Sequence, residues 1–211
     1  MSDVNIMQKL AIVETIKEGI AIGTKNIGAI LANVLLWALT IWIPYLNVGT
    51  TIGLTAGIVS KASRGEPIPM TEIFDPKYRK YMGEYFLTAG LIGVGVGIGA
   101  IFAVIPGIVI SLAWGLAILL VVDKGKNPTE AITLSNNLTY GYKWKMAGIF
   151  LLIGLLFTLV QVILLYLGNI TTNNGLVFLI MIMVFASILF EVFVFIGLQA
   201  SVYKQLTESI P

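Results

Sequence analysis

The chain has 211 residues, 57% of them apolar and only 11% charged, with a mean hydropathy of +0.93 and a net charge of +2. A soluble globular chain carries about a quarter charged residues, so most of this surface faces lipid or neighbouring protein. There is no Cys and no His, which excludes a disulfide framework, thiolate chemistry, Cys or His metal ligation and the commonest general base.

Over residues 6–26, Ile6, Leu10, Val13, Ile16 and Ile20 recur at spacings of three and four, with Lys9, Glu14, Lys17 and Glu18 on the other side. This predicts an amphipathic helix on the membrane surface, its apolar face in the headgroup boundary. The apolar run 27–43 predicts a first membrane helix. Pro44 ends it, and Trp37, Trp42 and Tyr45 form an aromatic belt near its far end. A return helix over 46–60 carries Gly49, Gly53 and Gly57 four residues apart, a small-residue face for close helix packing. In the polar segment that follows, Asp75-Pro76 is a helix start, and Tyr78, Tyr81 and Tyr85 are expected at interfacial depth.

The third helix, 86–104, has glycines at 90, 93, 95, 97 and 99. They cover more than one face, so this helix is expected to be clamped between neighbours, with Gly93 and Gly97 in helix contacts. Ile105-Pro106-Gly107 breaks the chain before a fourth helix that runs to about 122. Asn127-Pro128-Thr129-Glu130 is a second helix start, in which Asn caps, Pro sits first and Glu reaches back. A fifth helix over 146–167, an uncharged turn, a sixth over 176–202 and a short tail complete the chain.

The expected fold is all-α, a polytopic membrane bundle of six transmembrane helices in one domain, 1–211. It is built from three units of surface helix plus hairpin, approximately 6–63, 71–126 and 128–205. The first two hairpins turn at Ile43-Pro44 and Ile105-Pro106, and Thr71-Glu72 and Thr129-Glu130 follow them. All thirteen Lys and Arg fall in the N-terminal helix, the two long loops and the tail, and none in the three opposite turns. The positive-inside bias therefore places both termini in the cytoplasm. Helices of about 15 to 17 residues span roughly 25 Å, less than a hydrocarbon core. The first two hairpins are thus expected to thin the bilayer or to sit in a homo-oligomer.

Two stretches carry a resemblance. One is GIVSKASRGEPIPMTEIF, with Gly57, Arg64-Gly65, Pro67 and Ile73-Phe74. The other runs from Ile105-Pro106-Gly107 through Val122-Asp123, Glu130-Ala131, Ser135, Leu138-Thr139 and Gly141 to Lys143-Trp144. Over about residues 51–152 the chain resembles the YciC-like prokaryotic six-helix membrane proteins, which are similar to the membrane domain of some bacterial glycerophosphodiester phosphodiesterases. The resemblance implies a multi-pass domain of the prokaryotic inner membrane. It supplies no catalytic or transport residues, and no phosphodiesterase domain is present here.

Glu191 is the only ionisable residue inside an expected membrane helix. A charge at the bilayer centre costs about 2.5 to 3.5 kcal/mol on insertion scales, so such a residue has a partner or a water-lined path. Two readings stand: an ion or proton site, with Gln161 and Gln199 as further members, or structural glue between helices. Asp123 and Glu130 flank a turn, but capping accounts for Glu130 and no metal-ligand spacing is present. Arg64, Lys77, Arg79, Lys80, Lys143 and Lys145 are candidates for contact with lipid headgroups. No catalytic residue, cofactor, metal or nucleic-acid partner is expected. The expected function is a non-enzymatic multi-pass inner-membrane protein that self-associates and organises lipid or partner proteins. The alternative is a channel or transporter for a small ion or solute, with Glu191 in the pathway.

Overall fold

The computed structural model describes residues 10–208. Positions 6–9 of the expected first helix and 209–211 of the tail lie outside the described residues. Every regular element among those described is helical. Helix α1 (Ile12–Lys25) bends by 69° at Asn26 into α2 (Ile27–Thr40). Helix α3 (Pro44–Ile52) begins at a proline, whose missing N–H costs nothing in a first turn. It passes through a π turn at Gly53–Gly57 into α4 (Ile58–Ser63). After a loop with a 3-10 turn at Glu72–Phe74 come the single turn α5 (Lys77–Lys80) and α6 (Met82–Phe102). Next follow α7 (Val104–Trp114), α8 (Ala117–Lys124), α9 (Pro128–Thr139), α10 (Lys143–Ile170) and α11 (Asn174–Thr207).

Among the described residues four helical rods are long and apolar enough to cross a membrane: Met82–Phe102, Val104–Lys124, Lys143–Ile170 and Asn174–Thr207. The bent pair α1–α2 would make a fifth if counted as one span. The protein is an all-helical bundle embedded in a membrane. Its described ends lie together, because Thr15 on α1 donates a hydrogen bond of 3.1 Å to Gln205 on α11.

Burial is concentrated at the charged end. There Ile52, Val59, Leu120, Ile149, Leu198 and Leu206 are fully enclosed. The opposite halves of the long helices are bare: Phe102 is 83% exposed and Phe178 67%. This is the pattern lipid permits, since hydrocarbon solvates an apolar side chain as well as a protein core does.

Several elements depart from the pattern expected of the sequence. The rods α6 and α7–α8 have 21 residues each, about 31 Å. The short-helix argument therefore holds only for α2, with 14 residues. The last helix extends to Thr207, so Tyr203 is a buried core residue and not part of a tail. Helix α1 buries Thr15, Gly19 and Gly23, while Val13 on its apolar stripe is 63% exposed. A Cβ on Gly23 would collide with the Phe193 carbonyl oxygen, and one on Gly197 with the Gly19 carbonyl. Backbone packs directly on backbone between α1 and α11.

Helix α6 is not clamped. Its Gly95 and Gly99 face Trp114, Ile110 and Gly107 of α7, whereas Gly90, Gly93 and Gly97 have nothing within 4 Å. The Gly53 and Gly57 face of hairpin one holds the Tyr78 ring and not a neighbouring membrane helix, and Gly49 lies against Arg79. Tyr78 is therefore buried at 1% exposure and does not stand at the interface. The second unit opens on a 3-10 turn and one helical turn instead of a surface helix.

Between α7 and α8 the helical ladder breaks at Gly115–Leu116, and Ser135 of α9 repairs it. The Leu116 N–H donates to Ser135 Oγ at 3.1 Å, and that hydroxyl donates to the Ala113 carbonyl at 2.7 Å. Both backbone groups are buried, so losing the hydroxyl strands the Leu116 N–H and leaves the Ala113 carbonyl with the longer bond from Thr139 Oγ1 at 3.3 Å. Ser135→Ala is expected to cost about 1 to 3 kcal/mol. Thr133→Ala on the exposed face of the same helix should change stability by less than about 0.5 kcal/mol. Thermal unfolding of both variants in one detergent checks the difference.

Candidate functional site

Glu191 and Gln161 sit on α11 and α10, neighbours in an antiparallel pair. The Gln161 amide donates to the Glu191 carboxylate at 2.9 Å. No second donor reaches Glu191 among the described residues. Gln199, two turns further along the same helix, lies on the wall of the same cavity. This cleft has a volume of about 660 Å³ and is formed where the three hairpins meet. Leu54 and Thr55 line it from α3–α4, Ser111 and Leu112 from α7, Phe150 from α10 and Phe195 from α11. The break at Gly115 helps to open it, because no side chain fills that position. The hydroxyls of Thr55 and Ser111 are spent on their own helices, donating to the Thr51 and Ile108 carbonyls. Among the described residues Glu191 is the only Asp, Glu, Lys or Arg on the wall.

A second polar centre ties the charged end together, and the sequence reading largely missed it. Glu72, 3% exposed, accepts from Lys61 at 2.7 Å, from Lys77 at 3.2 Å and from the Tyr78 hydroxyl. Burial pushes the Glu72 carboxyl up, but the donors Lys61, Tyr78 and Lys77 outweigh it and hold the group below its ordinary value. Burial, and then the bond to that carboxylate, push the Tyr78 hydroxyl far up. Asp123 accepts from Arg64 and, at 2.8 Å, from the Tyr203 hydroxyl. Glu18 of α1 accepts from Ser201, Lys204 and Gln205 of α11 at 2.7 to 2.9 Å.

Asp123 and Glu130 do not converge. Glu130 pairs with Lys126 at 2.7 Å, and its backbone N–H donates to the Asn127 cap at 2.9 Å. Among the described residues no group of three or more acidic side chains could hold a metal ion. The expected headgroup-binding cations are scattered over different partners. Arg64 and Lys77 are paired with acids, Arg79 lies 5.9 Å from the Tyr45 ring centre and Lys143 donates to Asn136 at 2.9 Å. Lys145 stands 5.6 Å over the Tyr142 ring, and Lys80 is exposed.

The contacts of Arg79 bear on depth. Arg79 follows Asp75 and Lys77 and precedes Lys80, a segment that stays at water or headgroup level. Yet its side chain reaches Tyr45 and Gly49, at the start of α3. At the other end of α3–α4, Arg64 meets Asp123. Asn33, within α2, donates to the Pro69 carbonyl at 2.8 Å and accepts from the Ile73 N–H at 3.0 Å, both in the charged loop. The first hairpin therefore touches the charged segments through Asn33 on α2 and through Tyr45, Gly49 and Arg64 along α3–α4.

No protein-family model, curated protein or solved structure matches the chain.

The Glu72 network gives a pH dependence of definite sign. A carboxyl whose folded pKa is depressed contributes stability above its unfolded value, and loses it as pH falls through the folded value. The stability difference between wild type and Glu72→Gln should be constant at neutral pH and shrink below about pH 4.3, the ordinary Glu value. Melting temperatures of the pair from pH 7 to pH 3 check this. At neutral pH, Glu72→Gln should also speed tryptic cleavage after Lys77 and Arg79.

Proposed function

We propose that this is a non-enzymatic, multi-pass protein of a prokaryotic inner membrane that self-associates and organises lipid in the leaflet on its charged side. The observation that carries the reading is the contact of Arg79 with Tyr45 and Gly49. Together with Arg64 on Asp123, it argues that the first hairpin lies along the charged face and does not cross. Four crossings, by α6, α7–α8, α10 and α11, then replace the six expected of the sequence. The in-plane hairpin presents Leu39, Trp42 and Tyr45, which are 74%, 85% and 65% exposed. Tryptophan and tyrosine at headgroup depth are interfacial anchors, and an in-plane wedge of this kind displaces lipid from one leaflet only.

Self-association is supported by the division of the α6 glycines. One face is used against α7, while Gly90, Gly93 and Gly97 are left open. A helix backbone from a second copy fits such a face. The positive-inside bias places both ends of the chain and the charged layer in the cytoplasm. Lys80, Lys143 and Lys145 there are suited to anionic headgroups. The resemblance to YciC-like membrane proteins agrees with this reading. A second reading, passage of a small ion or solute past Glu191, is favoured by the position of that carboxylate on a cleft shared by all three hairpins.

The natural absence of cysteine makes single-cysteine labelling clean. Tyr45→Cys and Lys126→Cys should react with an impermeant maleimide from the same side of sealed vesicles, and Asn173→Cys from the other. Labelling of Tyr45→Cys from the Asn173 side would restore six crossings. Native mass spectrometry should find a defined oligomer that Gly93→Leu and Gly97→Leu reduce without lowering the melting temperature. A wild-type monomer would sink the self-association.

A further inference from the structure

We propose that the cleft between the three hairpins is a binding site for a lipophilic amine, a hydrophobic molecule with one protonated nitrogen that enters from the lipid and docks on Glu191. The cleft volume of about 660 Å³ lies within the range of small-molecule sites, about 300 to 1,000 Å³. Thr55, Ser111, Gly115 and Gln199 on its wall are exposed, so it opens on the outside of the bundle. Measured along α11, Glu191 stands about 18 Å from Tyr203, which binds Asp123 at the charged layer. That separation takes Glu191 away from the charged layer and onto the apolar part of α11.

The chemistry of the wall selects the ligand. A hydrated metal ion or a sugar needs polar groups at many points. Here the hydroxyls of Thr55 and Ser111 are turned to their own backbones, and the remaining polar side chains are Glu191 and Gln199. Gln161 holds one carboxylate oxygen at 2.9 Å, which fixes the group in orientation and leaves the other oxygen without a protein donor among the described residues. A fixed acceptor at one point of an apolar cavity matches an apolar body with one strong donor. A cationic donor is favoured over a neutral one, because hydrogen bonds to charged groups in low dielectric are the stronger ones. A fatty acid carboxylate brings acceptors where the free oxygen calls for a donor. A phospholipid is disfavoured by depth, since its headgroup would have to leave the interface. The site does not depend on self-association, and Leu54, Thr55 and Val59 of the first hairpin form part of its wall.

The test is photolabelling of the purified full chain in phosphatidylcholine nanodiscs with a diazirine-bearing dodecylamine, against the matched dodecanol. The amine should label peptides covering residues 111–119 and 188–199 about tenfold more than the alcohol does. Glu191→Gln should reduce the amine to the level of the alcohol. Ser111→Phe, which fills the cleft and keeps the carboxylate, should lower labelling there by both probes. Equal labelling by amine and alcohol in the wild type overturns the site. So does amine labelling spread over the bare faces of α6 and α10, or a preference that survives Glu191→Gln. Should Glu191→Gln fail to fold, the wild-type comparison and Ser111→Phe decide the matter alone.

Discussion

The structure depends on the carboxylate of Asp123. It stands at the end of α8 with its side chain 7% exposed, and its two oxygens go to two other parts of the chain. One takes Arg64 from the end of α4, the other Tyr203 from α11. The three hairpins are thereby pinned at one point, at the level where the chain leaves the apolar layer. Truncating one partner of a buried charge-assisted bond leaves the other uncompensated, which costs far more than the net worth of the pair. Arg64 is 42% exposed, so water relieves part of that penalty and the pin is firm without being brittle. Glu72 and Glu18 repeat the device at the two adjoining junctions, loop to α4 and α1 to α11. Each of the three carboxylates therefore joins two or more elements of the chain.

Glycine does the complementary work where no polar group is available. Between α1 and α11 the contact of Gly19 and Gly23 with Phe193, Gly197 and Leu198 brings backbones together, so a methyl group has no room. Within the second hairpin, Gly99 and Gly107 let the α6 and α7 backbones approach in the same way, and Gly95 makes room for the Trp114 ring. In lipid there is no hydrophobic drive between helices, and close van der Waals contact has to supply the association. Glycines spent in this way are structural. Those of α6 that touch nothing belong to a different account, and their separation on opposite faces of one helix is what distinguishes the two.

Much of the architecture was legible in the sequence, because the long apolar runs and their charged boundaries are coarse signals. The rods after Met82 begin and end within a few residues of the expected positions, and Asn127-Pro128-Thr129-Glu130 starts a helix as its residue types demand. The Gln161–Glu191 contact joins two residues singled out by polarity alone. The packing of the first hairpin against the charged segments was not legible. Its apolar runs resemble membrane spans, and nothing in them announces the contacts of Asn33 with Pro69 and Ile73, of Tyr45 with Arg79 or of Arg64 with Asp123. Gly19 and Gly23, a four-residue spacing inside an amphipathic pattern, were the missed signal for α1. The apolar stripe beside them drew the face toward lipid, although the small residues were the ones to be buried. Tyr78 misled for a related reason, since a tyrosine near a membrane boundary suits either a headgroup belt or a buried hydroxyl with an acid partner.

The unequal burial along the membrane axis follows from these forces. An apolar side chain gains little by leaving lipid for protein, so the far halves of α6, α10 and α11 need no partners beyond their hairpin mates. At the charged end the alternative to burial is water, and there the same residue types collapse into a core of Ile52, Val59, Leu120, Leu198 and Leu206. The hydrophobic effect thus acts only over the layer that water reaches, and the hairpins diverge where it stops. The cleft at Glu191 lies at this transition. Below it the helices are held by Asp123 and its neighbours, and from there on the Gln161 bond, the contact of Phe157 with Phe190 and that of Gly168 with Ile180 join α10 to α11. There the Gln161 amide satisfies one oxygen of the Glu191 carboxyl group and ties α10 to α11 across the mouth of the cleft.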